Sequence, residues 1–246
     1  MPEQPSRRAP GAPGRPTVSP GRLPLVLALA GALAVVAALA LWLQPWQSQR
    51  AGAGATAAAA GAEAGDAPVV RSLEELRERY GDPRDANYGR LRIPALGIDA
   101  PVGRRIVPAD GQLADPIGPS DVTLYDFAGW PGYGGMPGGG GNAIFAGHVD
   151  RNAFLEYAGV RYLGPGIFYQ LAQVGEGDTI EVTVGARTYR YHVIWVRETN
   201  AKLENWAAIM TSDVDPEAIT LITCGGGFDD ATRTYTHRTI VRALRS

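Results

Sequence analysis

From Tyr88 to the C-terminus, short runs rich in β-branched and aromatic residues recur between Gly, Pro and Asp: GRLRIPALGI, NAIFAGHV, GIFYQL, DTIEVTVG, RTYRYHVIWV, AITLITC and HRTIVRAL. Each has the length of a strand, and helical patterns do not alternate with them. Seven or eight strands in this arrangement predict an antiparallel barrel or sandwich rather than a βαβ sheet. Tight reversals are expected at residues 174–178 (VGEGD) and 184–187 (VGAR), where Gly and Asp suit turn geometry. Short helical stretches are expected around residues 206–210 and 154–157, and no internal repeat is visible.

The chain ahead of this region has a different character. Residues 1–22 are rich in Pro, Gly and Arg (Arg7, Arg8, Arg15, Arg22), with Glu3 the only acid, and read as a disordered basic cytoplasmic tail. Residues 23–43, LPLVLALAGALAVVAALALWL, form an uncharged apolar run of 21 residues. A helix of that length covers about 30 Å, one bilayer core, so a transmembrane anchor is expected. Trp42 and Trp46 at one end and the arginines at the other orient it with the N-terminus in the cytoplasm. The expected protein is single-pass in the cell membrane with its folded domain extracellular. A cleaved signal peptide is the competing reading, because small residues follow the run, but the run exceeds the usual apolar core of about 7–15 residues.

Residues 44–70, mostly Ala and Gly, read as a tether. Residues 71–87 contain SLEELRERY, in which Leu73 and Leu76 share a helical face and Ser72 and Glu75 stand at capping-box spacing. That predicts a short packing helix. Residues 88–246 then form one foldable domain.

Net charge is −2, from 23 basic and 25 acidic residues, which gives no footprint for nucleic acid. Cysteine occurs once, at Cys224, so neither an internal disulfide nor a multi-cysteine zinc site can form, and no metal or cofactor is expected. A free thiol in an exported protein is a liability unless its chemistry is used; the alternative is a small buried hydrophobe. Three histidines, His148, His192 and His237, give three candidate thiol–imidazole pairs.

His148 ends NAIFAGH on the same side of an extended strand as Ile144 and Ala146, with Gly147 beside it, an arrangement that presents a ring at a strand tip. His192 lies mid-strand in RTYRYHVIWVRE, where a structural role is expected. His237 precedes Arg238, so in a strand only one of them can face a site containing Cys224, and Arg238 is the better candidate. Cys224 closes AITLITC ahead of Gly225, Gly226 and Gly227, where an open loop is expected. The Gly-rich stretch 129–141 is not a phosphate loop, since it lacks the Lys-Ser/Thr ending. It is either a mobile lip over a groove or a long surface connection.

TLITC, ending at Cys224, resembles the signature strand of sortases, which carries their nucleophile. AGHVD resembles the strand end bearing the sortase histidine, THRTIVRA the following strand with its arginine, and LRIPALGIDAPV the first strand of the sortase barrel. The resemblance spans about Tyr88 to Ser246 and implies a closed antiparallel β-barrel acting as a cysteine transpeptidase, with Cys224 as nucleophile, His148 as acid/base and Arg238 as stabilising cation. Thr223 would help hold substrate. His148-Val149-Asp150 and the CGG-x-F-D stretch resemble the actinobacterial-type class E/F sortases. In such relatives the arginine stands nearer the cysteine, which leaves Arg233 and Arg242 as alternatives. The implied partners are secreted proteins with an LPxTG-like C-terminal sorting signal and an amine acceptor, such as a cell-wall precursor or a pilin lysine. Competing readings are a membrane-anchored peptidase that mainly hydrolyses and an idle peptide-binding β-domain.

Overall fold

The computed structural model describes residues 67–230 and 234–246. The expected tail, the apolar segment 23–43 and most of the tether lie outside the described residues. Among the described residues no helix is long and apolar enough to cross a membrane.

Apolar alternation builds the barrel. The strands are β2 (Gly89–Ile93), β3 (Ile98–Ile106), β4 (Val122–Asp126), β5 (Asn142–Gly147), β8 (Thr179–Val184), β9 (Arg187–Asn200), β10 (Ala218–Asp229) and β11 (Thr234–Arg245). They close in the order β10-β11-β9-β8-β2-β3-β4-β5. Residues at every second position, such as Ala143 and Phe145 on β5, Ile219 and Leu221 on β10, and Val241 and Ala243 on β11, fill the interior. Burial of each large apolar side chain contributes about 1.5–3 kcal/mol. A smaller sheet of β1 (Val69–Val70), β7 (Val160–Pro165) and β6 (Asp150–Leu155), in the order β1-β7-β6, lies outside the barrel sheet.

The other faces of β5, β10 and β11 are also covered. Ile144, Ala146, Ile222 and Ile240 pack with Trp206, Ile209 and Met210 of helix α2 (Trp206–Met210). A helix this short leaves its last carbonyls without intrahelical partners. Two buried side chains, Asn142 at 2.8 Å and Arg242 at 2.7 Å, donate to the Ile209 carbonyl. Helix α1 (Leu73–Tyr80) starts at Ser72, whose hydroxyl accepts from the Glu75 amide, and buries Leu76. Leu76 packs against Val70, Leu155 and Tyr162 of the small sheet.

Several expectations need correction. The barrel is not purely antiparallel: β3–β4 and β5–β10 are parallel, because the segments joining each pair return across the molecule instead of reversing in a hairpin. LRIPALGIDAPV is a hairpin of β2 and β3, broken by a 3-10 turn at Pro94–Leu96 and by Gly97 at φ 63°. GIFYQL is no strand but a turn leading to a 3-10 helix at Leu171–Gln173, because Ile167, Phe168 and Leu171 are buried at helical rather than alternating spacing. Phe154 and Leu155 close strand β6, and a turn follows from residue 156 where helix was expected. Strands β1, β4, β6 and β7 lie outside the runs expected to be strands, although VTLYD of β4 is rich in strand-forming residues. β1 also shows that the folded part begins inside the expected tether.

The Gly-rich stretch 129–141 leads into the start of β5, and His148 follows its end. The stretch is therefore a surface connection at the end of β5 away from His148. Glu217 anchors it: the amides of Gly138 and Gly140 donate to its carboxylate at 2.9 and 3.0 Å, as does Arg245 at 3.1 Å, and the Tyr191 hydroxyl donates as well. Burial pushes the Glu217 carboxyl up, but the Tyr191 hydroxyl, the two amides and Arg245 outweigh it and hold the group below its ordinary value.

Glu217→Ala is expected to cost about 1.5–3 kcal/mol at pH 7, the scale of a hydrogen-bonded charge. A depressed carboxyl stabilises the fold above its unfolded pKa and less as pH falls, so the gap to wild type should shrink below about pH 4. Thermal melts of both proteins at pH 7 and at about pH 3 check this.

Candidate active site

The register of β5 against β10 decides which side chains meet. The strands pair in parallel from Ala218 opposite Asn142 to Ile222 opposite Ala146. One residue on, the Thr223 hydroxyl donates to the Gly147 carbonyl at 2.8 Å. One further step in the same register would bring Cys224 level with His148, which follows the last residue of β5. On the other side Cys224 pairs with Arg238 of β11. Since Leu221 and Val241 point inward and Ile222 and Ile240 outward, alternation puts Cys224 and Arg238 on the outer face, at the end of the cluster under α2.

Cys224 does not open into a loop. β10 continues to Asp229, and its register with β11 shifts between Gly225 and Phe228, with Gly226 at φ 70°. The thiol is half-buried.

Close backbone approach fixes His148. A Cβ on Gly147 would stand 2.5 Å from the Phe168 ring, and one on Gly166 would stand 2.2 Å from the His148 carbonyl oxygen. That carbonyl accepts from the Phe168 amide at 3.0 Å. The ring bonds to the Pro116 carbonyl, which can only accept, while its Nε2 faces Arg151 Nη1 at 3.4 Å. These partners assign the proton to Nδ1 and the lone pair to Nε2. Burial, and then the Arg151 guanidinium, push the imidazole down to about 3, against the Pro116 carbonyl.

Burial also pushes the Cys224 thiol up; Arg238 pulls it down, and Asp115 and Asp150 push it up further. The unliganded pair therefore rests as neutral thiol and neutral imidazole. Arg238 is buried, and its Nη1 donates to the carbonyls of Tyr235 and His237 at 2.9 and 2.8 Å. Those two bonds anchor Nη1, and the guanidinium charge acts on the Cys224 thiol.

The remaining candidates lie elsewhere. His192 is exposed, with Thr179 Oγ1 at 3.5 Å, and sits opposite Leu244 on β11, far along that strand from Arg238. His237 faces away with its ring against Gly226. Arg242 is taken up beneath α2, and Arg233 lies outside the described residues. Thr223 is buried with its hydroxyl on Gly147, which makes it a clamp between strands. Among the described residues no group of three or more His, Cys, Asp or Glu is arranged to hold a metal ion.

A family model described as the sortase domain matches residues 91–246. The chain belongs to the sortase family. Similar solved structures include sortase C from Clostridium perfringens, 18% identical with a TM-score of 0.43, covering 64% of this chain and 68% of that one. Sortase E1 from Streptomyces coelicolor, with a tripeptide in its active site, is 18% identical with a TM-score of 0.45, covering 65% and 88%. A lid mutant of sortase A from Corynebacterium diphtheriae is 18% identical with a TM-score of 0.46, covering 89% and 95%. No curated protein sequence matches the chain.

Around the three candidates this sortase gathers residues that sequence reasoning missed: Asp115, Pro116, Asp150, Arg151 and Tyr235. Arg151 Nη1 stands 3.7 Å from Asp115, and the Tyr235 hydroxyl donates to Asp150. Asp115 and Pro116 come from the segment between β3 and β4, which crosses the outer face and is pinned where the Tyr125 hydroxyl donates to the Ala114 carbonyl at 2.9 Å. Such a segment has no periodicity to expose it. Asp150 and Arg151 did have one signal, their place two and three residues after the histidine.

Two outcomes follow. Alkylation of Cys224 by iodoacetamide should keep accelerating through about pH 9, because burial raises the thiol above the free value of about 8.5; a plateau below pH 8 would contradict the neutral resting pair. Gly166→Ala should displace the His148 backbone and cost about 1–3 kcal/mol as an overpacking substitution, read as a lowered melting temperature together with a changed His148 imidazole NMR shift.

Proposed function

We propose that this sortase is a membrane-anchored, extracytoplasmic cysteine transpeptidase. What supports the reading is the pairing of Cys224 with Arg238 across β10–β11, together with a β5–β10 register that, carried two residues further, brings Cys224 level with His148, in a chain of this family. The substrates would be secreted proteins with an LPxTG-like C-terminal sorting signal. The acceptor would be an amine of the cell wall or of a pilin, and the subclass would be E/F. The anchor at 23–43 would hold the domain on the outer face of the membrane, where such signals emerge.

In the first transfer the thiol proton passes to the Nε2 lone pair of His148, in place of its long Arg151 contact, as sulfur bonds to the scissile carbonyl carbon. Arg238 has no proton to trade and stabilises the oxyanion or positions the substrate backbone. When the C–N bond breaks, the imidazolium returns its proton to the leaving amine, and a thioacyl enzyme remains. An incoming amine reverses these roles and yields a new amide. Thr223 acts by clamping β10 to β5 at the site.

The test is to incubate the protein with a Leu-Pro-x-Thr-Gly peptide and read the acyl adduct on Cys224 by mass. Cys224→Ala should form no adduct, and Arg238→Ala should lower turnover about a hundred- to a thousandfold, the scale of one lost oxyanion donor. Turnover by Cys224→Ala equal to wild type would sink the proposal.

A further inference from the structure

Immediately after His148 the chain enters the β6–β7 hairpin, and one face of that hairpin floors a cleft of about 410 Å³. Asp150, Asn152, Leu163, Pro165 and Tyr169 line it, together with Arg151. We propose that this cleft is the docking site of a cationic primary amine on an aliphatic stem, the acceptor that resolves the thioacyl intermediate. The inference rests on the transpeptidase reading and adds to it where the second substrate sits and what recognises it.

The cleft is joined to the reaction centre by bonds. The Tyr235 hydroxyl donates to Asp150 Oδ2, and Arg238 holds the carbonyl of the same Tyr235 at 2.9 Å. Asp150 is also close enough to Cys224 for its charge to raise the thiol. Its chemistry is that of an ammonium site. Asp150 is exposed and brings a carboxylate, and Tyr169, 62% exposed, brings the open face of an aromatic ring, which attracts a cation. Leu163 and Pro165 give a wall for methylenes.

Among the lining residues Arg151 is the one like charge. Its guanidinium is turned to Asp115 at 3.7 Å and to His148 Nε2 at 3.4 Å, so Asp115 offsets it within the site.

The docked ammonium has three N–H protons to account for. One passes to neutral His148 and on to solvent, freeing the nitrogen lone pair. That nitrogen bonds to the thioester carbon, and the C–S bond breaks with its electrons on sulfur. The second proton leaves the new amide nitrogen for the thiolate and restores the thiol, and the third stays on the amide.

The experiment uses the full-length protein in detergent, a Leu-Pro-x-Thr-Gly peptide as acyl donor, and two amines: Nα-acetyl-lysine amide, which is cationic, and hydroxylamine, which is uncharged at neutral pH. Mass spectrometry reads the ratio of aminolysis to hydrolysis, so differences in acylation rate cancel. Asp150→Asn should lower the ratio about two- to fivefold with the lysine derivative, the range of an exposed ion pair, and leave it unchanged with hydroxylamine. Tyr169→Ala should lower it with the lysine derivative by a smaller factor. An unchanged ratio in Asp150→Asn, or an equal fall with both amines, overturns the subsite while acylation stands. A raised peptide KM with unchanged ratios also overturns it, by making the cleft part of the donor site. Absence of any adduct on the wild-type protein overturns the transpeptidase reading, and the subsite with it.

Discussion

Strands β5 and β10 are separated in sequence by everything from His148 to Glu217, yet they lie side by side and parallel in the barrel. Their register is the constraint on which the site depends. A slip of one residue would turn His148 or Cys224 toward the interior, because side chains alternate across a strand. Three contacts hold the register: the Thr223 hydroxyl on the Gly147 carbonyl, the close seat of Gly147 on Phe168, and the burial of β5 on both faces. The hydrogen bond contributes only about 1 kcal/mol. Burial of the strand contributes several times that, so packing sets the register and the bond refines it.

The same packing sets the electrostatics. Taking His148 and Cys224 out of water disfavours both charged forms, and Arg151 disfavours the imidazolium further. Four charged side chains, Asp115, Asp150, Arg151 and Arg238, stand around a pair that is itself neutral. Under the proposed mechanism the proton moves from sulfur to nitrogen during attack, and Arg238 is already in place to meet the charge that then develops on substrate oxygen.

The chain made much of this legible. One thiol and three histidines reduced the nucleophile–base problem to three pairs, and alternation in NAIFAGH put His148 just past the end of buried β5, while Cys224 lies within β10 and not at its tip. The capping box at Ser72 placed α1 where it forms. Legibility ended where local pattern and tertiary demand diverged. CGGGFD looks like an open loop because glycine has no side chain to show periodicity, yet β11 pairs with it and makes it strand. GIFYQL looks like a strand because its residues favour strands, yet burial of Ile167, Phe168 and Leu171 curls it.

The sequence by itself determined the inventory of this protein: which groups can react, the strand-rich domain that holds them, and membership in a family whose pieces occur in order along the chain. The tertiary structure alone decided the neighbours. That Asp115 and Pro116 reach the site from the segment between β3 and β4, that Tyr235 bonds to Asp150, and that Thr223 is a clamp depend on strands distant in sequence becoming adjacent. Hydrophobic burial drives that adjacency without recording its partners in any local pattern, because apolar attraction is nondirectional.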